Sequence, residues 1–334
     1  MKKERKTLQF LIIPLACAQA LTWQGCTQED TPMATPPAMP HTTYELHLHD
    51  TAATRVSVDE NSYRFRWDAG DQITVWMGSD FDTTQPYAFS TADGGMGSAH
   101  FKYTGPETDN RTCFALYPAN GQLTGHSLTW EVPATNIVQA DFNQSRHLHH
   151  YRAMASNVVN QAESSATLPN LRFRQLTGLL IFRLTNNGER PRTISAIRIE
   201  STRPTFYTQG QCDAGSETAT QTSGAVSTVS LKLGNGGLEL PADKKTYMAY
   251  LPILPTADLQ GAMLNVVIET PTGELNSFTL NGEEVGDADG NGKHDFAASY
   301  YYLFNLSLKE SNLIWDMDNM VGWQEGETVE IPVD

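Results

Sequence analysis

From Thr43 to the C-terminus of this 334-residue chain the apolar side chains recur at every second position, a period that admits strands and disfavours amphipathic helices. Tyr44, Leu46 and Leu48 show it, as do Ile73 and Val75, then Leu180, Phe182 and Leu184. Further along come Ile197 and Ile199, then Val229, Leu231 and Leu233, and finally Tyr302, Phe304, Leu306 and Leu308. Each run is short and bounded by Gly, Asn, Asp or Pro, residues whose backbone preferences turn a chain. The expected class is all-β. The number of runs fits two tandem antiparallel β-sandwich domains, over residues 43–165 and 166–334. Residues 141–161, His-rich and then Ala- and Asn-rich, break the pattern and read as a long connection with one short helix. No fixed-period repeat is present, which disfavours propellers and solenoids.

The first 25 residues read as a secretory signal peptide. Lys2, Lys3, Arg5 and Lys6 form a basic start, an apolar stretch runs over 8–21, and the junction is Gly25-Cys26. A membrane-spanning helix needs about 20 apolar residues, and Gln9, Pro14 and Gln19 interrupt this shorter run. Trp23-Gln24-Gly25-Cys26 resembles a lipobox, with Trp23 where Leu is usual, which implies lipidation at Cys26 and an outer-membrane lipid partner. The acidic Thr27-Gln28-Glu29-Asp30 resembles the export signal that sends some lipoproteins to the cell surface. Pro32, Pro36, Pro37 and Pro40 favour an extended tether over residues 26–42.

Charge and cysteine usage narrow the function classes. The net charge is −15, and the leader takes four basic residues and one acidic residue with it, so the mature chain is more acidic still. Such a surface repels phosphate backbones, so nucleic acid is not an expected partner. Beyond Cys26 only Cys113 and Cys212 remain, too few and too far apart for a disulfide framework or a zinc site. Free, partly buried thiols are the expected state, with pairing in an oxidising periplasm as the alternative.

Two segments carry possible ligands. In Asp287-Ala-Asp289-Gly-Asn291-Gly-Lys-His-Asp295, oxygens fall at calcium-loop positions 1, 3, 5 and 9, from Asp287, Asp289, Asn291 and Asp295. Position 12, where an EF-hand places a bidentate carboxylate, is Ala298, and flanking helices are not expected. The segment reads as a polar turn, with calcium as the lesser alternative. His147, His149 and His150 read as a surface loop of titratable side chains, because no acidic or cysteine partner stands at a metal-site spacing. Nucleophile elbows, Walker loops and dinucleotide fingerprints are missing, so neither catalysis nor a cofactor is expected.

The order of several segments resembles the fimbrillin family, the Mfa-like and FimA-like type V pilins. Thr54-Arg55 comes first, then Phe65-Arg-Trp67-Asp-Ala-Gly70-Asp71-Gln-Ile73-Thr-Val75-Trp76. Ala99-His-Phe101, Cys113-Phe-Ala-Leu-Tyr117-Pro118 and His149-His-Tyr-Arg-Ala-Met154-Ala155 follow. Leu171-Arg-Phe173-Arg-Gln175-Leu176-Thr-Gly-Leu179 carries Gln175 where the family commonly has His. Ser299-Tyr-Tyr-Tyr-Leu-Phe-Asn-Leu-Ser-Leu308 and Trp323-Gln-Glu-Gly326 complete the set.

The resemblance implies two transthyretin-like sandwiches and a cell-surface fimbrial subunit acting in adhesion. It further implies that a trypsin-like surface protease cuts after Arg55, removing a first strand that presents Tyr44, Leu46 and Leu48. A strand of a neighbouring subunit then fills the groove. Val329, Ile331 and Val333 alternate in a plausible donor strand, where Pro332 belongs on an edge because it lacks an N–H. Expected partners are other fimbrial subunits, that protease, and a host or bacterial surface ligand that the sequence does not name. The alternative reading is a surface glycan-binding lipoprotein in which exposed aromatics among Trp76, Trp130, Trp315 and Tyr207 form a stacking platform, although aromatics at strand period are more often core residues.

Overall fold

The computed structural model describes residues 41–48, 57–58, 65–94, 98–117, 121–216, 218–309 and 312–322. Cys26, Arg55, Val329, Ile331 and Val333 lie outside the described residues. The described chain is all-β, with two short 3-10 helices at Arg146–His150 and Gly282–Val285. The period-two runs fall in strands, and their core-facing side chains are buried, from Tyr44, Leu46 and Leu48 to Tyr302, Phe304, Leu306 and Leu308.

The first half is built on one eight-stranded sheet. Its order is His41–Leu48, Ala99–Pro106, Gln85–Thr91, Gln72–Gly78, Thr112–Tyr117, Met154–Ser156 and Phe173–Gln175, with Val159–Asn160 also pairing with Thr112–Tyr117. The segment that leads to the last of these strands passes beside the first. His41–Leu48, at one end, bridges to Thr167, shortly before the strand at the other end. One buried cluster, including Trp67, Ile73, Val75, Phe89, Phe101 and Phe173, fills this half.

Two sheets face each other in the second half. One has the order Thr246–Ile253, Gly178–Asn186, Tyr300–Lys309 and Asn312–Gly322. The other runs Ile137–Gln139, Thr228–Leu233, Ala196–Ser201, Met263–Thr270 and Gly273–Asn281. Phe182 and Phe304 of the first meet Ile197, Leu231 and Val266 of the second in one core. Gly178–Asn186 is flanked on both sides, antiparallel to Thr246–Ile253 and parallel to Tyr300–Lys309. Its opposite face, through Leu179 and Ile181, meets Leu148 of the first 3-10 helix in a third cluster. Burial on both faces explains why this strand is apolar almost throughout.

The halves are not separate beads. Thr112–Tyr117 is buried at all six positions, with Cys113, Ala115 and Tyr117 in the first core and Phe114 and Leu116 in the second. Strand Ser127–Glu131 pairs with Gln209–Asp213, and Ile137–Gln139 pairs in parallel with Thr228–Leu233, so residues 122–139 are built into sheets with strands from the second half.

Three expectations change in detail. Residues 141–161 contain the short helix but also the strands Met154–Ser156 and Val159–Asn160. The histidines there are not a surface loop. His147 Nε2 hydrogen-bonds Tyr250 O at 2.8 Å and His149 Nε2 stands 3.0 Å from Asp68 Oδ2, leaving His150 as the exposed member. Trp76 and Trp130 are 1% exposed, so neither can stack on a sugar. The Trp315 side chain lies outside the described residues. Cys113 and Cys212 are free thiols, both buried, and burial pushes Cys113 up to about 12.

Candidate assembly site

The strand His41–Leu48 forms a seam with the segment at 166–168, and its neighbours differ on its two sides. Towards Ala99–Pro106 it forms an eight-residue antiparallel ladder, from His41 opposite Pro106 to Leu48 opposite Ala99. On the other side a single parallel bridge serves it: Glu45 N donates to Ala166 O at 2.9 Å and Leu168 N donates to Glu45 O at 2.8 Å.

Alternation decides what each face of the strand does. Tyr44, Leu46 and Leu48 point into the first core and are 3%, 0% and 1% exposed. Their burial contributes on the order of 5–8 kcal/mol, an upper figure because an unfolded chain already hides some apolar area. Tyr44 adds polar ties, its hydroxyl accepting from Thr108 N at 2.7 Å and donating to Thr108 O at 3.0 Å. The outer face carries polar cross-strand pairs. Thr43 and Thr104 hydroxyls are 2.9 Å apart, Lys102 Nζ is 2.8 Å from Glu45 Oε1, and the His47 and His100 rings meet edge-on at 4.3 Å. The hydrogen bond and charge of Lys102 lower the pKa of Glu45, and Glu45 raises that of Lys102.

Asn110 holds the far side of the seam, a role that the alternating pattern does not reveal. Its side chain is fully buried, donating from Nδ2 to Ser165 O and accepting Ser165 N on Oδ1 at 2.9 Å. Its own N–H donates to Ser164 Oγ at 3.2 Å, and Gln161 Nε2 donates to Asn110 O at 2.9 Å. The chain at 164–165 is thereby fixed just ahead of Ala166 and Leu168, which meet the first strand. An Asn between Asp109 and Arg111 in a polar stretch is the one sequence sign of it, and it reads as an ordinary turn residue.

The motif Trp67-Asp-Ala-Gly70-Asp71 opens the central strand. Trp67 is fully buried, with its ring edge-on to Phe101, Tyr117 and Phe173 at 4.9, 5.8 and 6.5 Å. Gly70 takes φ +94°, which suits glycine because it lacks a Cβ. Asp71 Oδ2 accepts Asp68 N at 2.8 Å, and Gly70 N donates to Thr91 O at 2.8 Å. Burial pushes the Asp71 carboxyl up to about 6. From this turn Ile73, Val75 and Met77 enter the first core while Trp76 points to the second. Gln175, where the resembling family commonly has His, is buried and donates from Nε2 to Met154 Sδ at 2.8 Å.

A family model described as fimbrillin-like matches residues 54–323. The chain belongs to the fimbrillin-like family. That family comprises fimbrial structural proteins rather than enzymes. In fold the chain is similar to a candidate cell-adhesion protein from Bacteroides uniformis, at 16% identity over 85% of this chain and 98% of the other, with a TM-score of 0.54. A second candidate cell-adhesion protein, from Bacteroides ovatus, is 15% identical over 86% and 100% of the two chains, with a TM-score of 0.53. The tip fimbrial protein Mfa3 from Porphyromonas gingivalis, with a C-terminal truncation, is 6% identical over 85% and 100%, with a TM-score of 0.46. No curated protein matches the chain significantly. Among its described residues no helix is long and apolar enough to cross a membrane.

Proposed function

We propose that the chain is a structural or tip subunit of a cell-surface fimbria, assembled by removal of its first strand and insertion of a neighbour's strand. The carrying observation is the asymmetry of His41–Leu48. Three fully buried side chains and a long ladder hold it to the fold on one side, while one bridge at Glu45 completes the seam on the other. Taking such a strand away unpairs the N–H and C=O groups of Ala99–Pro106 that face it and opens an apolar slot beside Phe101. A donor strand with apolar residues at period two satisfies both needs, because backbone hydrogen bonds supply affinity and the alternating pockets set register. Val329, Ile331 and Val333 have that period, and Arg55 supplies a basic cleavage point beyond the strand. Cys26 would tether the unprocessed precursor to the outer membrane through its lipid. In this reading the two sandwiches are those expected over residues 43–165 and 166–334, except that Leu168, Leu171 and Phe173 pack into the first core and residues 122–139 pair with strands of the second half; the two share the strand Thr112–Tyr117.

Limited trypsin digestion of the signal-free protein, followed by mass spectrometry and size-exclusion chromatography, tests the mechanism against Arg55→Ala. Cleavage after Arg55 with conversion to high-mass polymers, abolished in the variant, is the expected outcome. A clip at Arg55 that leaves a monomer, or resistance at that bond, would discard strand replacement for this chain.

A further inference from the structure

The loop between the second 3-10 helix and strand Tyr300–Lys309 holds a carboxylate that the rest of the fold does not use. Asp295 is 5% exposed, and its Oδ1 is buried with no hydrogen-bond partner. An ionised carboxylate left in that state is destabilising, and an arriving cation removes the penalty. The other oxygen, Oδ2, accepts from Asn291 Nδ2 at 3.5 Å, the same amide that donates to Asp289 Oδ2 at 3.0 Å, so the buried carboxyl is tied to the loop. There Asp287, Asp289 and Asn291 occupy the first, third and fifth positions and Asp295 the ninth.

We propose that Asp287–Asp295 is a calcium site. Its ligands are side-chain oxygens of Asp287, Asp289, Asn291 and Asp295, the backbone carbonyl of Lys293 at the seventh position, and water. Side-chain to main-chain hydrogen bonds turn the segment into a tight loop. Asp287 Oδ2 accepts Gly292 N at 2.9 Å, Asp289 Oδ1 accepts Asn291 N at 3.2 Å, and Asn291 Oδ1 accepts Lys293 N at 2.8 Å. Gly290 and Gly292 take φ +74° and +80°, turns that a Cβ would hinder.

Among the described residues no three His, Cys, Asp or Glu side chains yet stand round one point, so the ion must draw these carboxylates together. Donors that are all oxygen, in an irregular loop that includes a main-chain carbonyl, suit calcium. Magnesium demands a tighter octahedron and keeps its water. Ala298 at the twelfth position removes the bidentate carboxylate of a tight EF-hand loop, which places the affinity in the range of extracellular modules, about 10⁻⁴–10⁻³ M.

Isothermal titration of calcium into chelator-stripped, signal-free protein tests this, with magnesium and the variants Asp289→Asn and Asp295→Asn run alongside. Asp289 is exposed, so its variant keeps the fold even where the buried Asp295→Asn loses it. The expected result is one site per chain in that range, weaker magnesium binding, and on the order of tenfold or greater loss in Asp289→Asn. No calcium binding up to about 10 mM, or an Asp289→Asn variant that binds as the parent does, would overturn the site.

Discussion

His147 carries the acid sensitivity of the joint between the 3-10 helix and the strand Thr246–Ile253. Its Nε2–H donates to Tyr250 O at 2.8 Å, and burial, with smaller contributions from His149 and His150, lowers its pKa to about 4. An unfolded histidine titrates near 6.5, so below that value the unfolded chain holds a proton that the folded one refuses. The stability tied to His147 is therefore complete above pH 6.5 and is lost as the pH falls towards 4. Asp71 and Asp295, both raised to about 6, act in the opposite direction over the same interval, so the histidine is best seen by difference. Urea unfolding of the parent and His147→Gln at pH 7 and pH 4.5 isolates it. Relative to the variant, the parent loses on the order of 2–3 kcal/mol between those conditions. Equal losses in both proteins would show that His147 is not buried as a neutral ring.

At the scale of the element, the first strand makes a prediction that is separable from protease processing. A chain beginning at residue 56 lacks His41–Leu48 and retains Ala99–Pro106 with an empty slot beside it. A synthetic peptide of residues 328–334 should bind this truncated protein and not the full-length one, as read by fluorescence anisotropy. A peptide with Ile331→Asp should bind at least about tenfold more weakly, because one buried aliphatic side chain contributes about 1.5–3 kcal/mol. Equal binding to full-length and truncated protein would place the peptide on another surface. Asn110 bears on the same seam, since it fixes the strip leading to Ala166–Leu168 against which an incoming strand must also close.

For the molecule as a whole, the shared strand Thr112–Tyr117 sets the cooperativity. Phe114 stacks with Trp76 at 5.3 Å in the second core, while Cys113 and Ala115, on either side of it, pack in the first. Neither core can lose this strand without exposing the other. Differential scanning calorimetry should therefore give one transition for the described fold, and Phe114→Ala should lower it without splitting it, at a cost of about 3–5 kcal/mol. Two resolved transitions in the parent protein would mean that the cores unfold independently.

The all-β class, the strands and their buried faces were legible in the sequence because a strand's side-chain period is two whatever its neighbours are. Tyr44, Leu46 and Leu48 announced their common face in this way, and Asp287 to Asp295 announced a loop of oxygen donors. Tertiary structure alone decided which strands adjoin, because pairing partners are chosen across long stretches of chain that local pattern does not encode. It took residues 122–139 into sheets with the second half and brought Trp76 and Trp130 into the second core. It also took His147 out of solvent, brought Glu45 against Ala166 and Leu168, and left Asp295 buried beneath its loop. Burial and proximity are properties of the packed whole, and those two quantities turned an alternating pattern into a seam and an acidic loop into a candidate cation site.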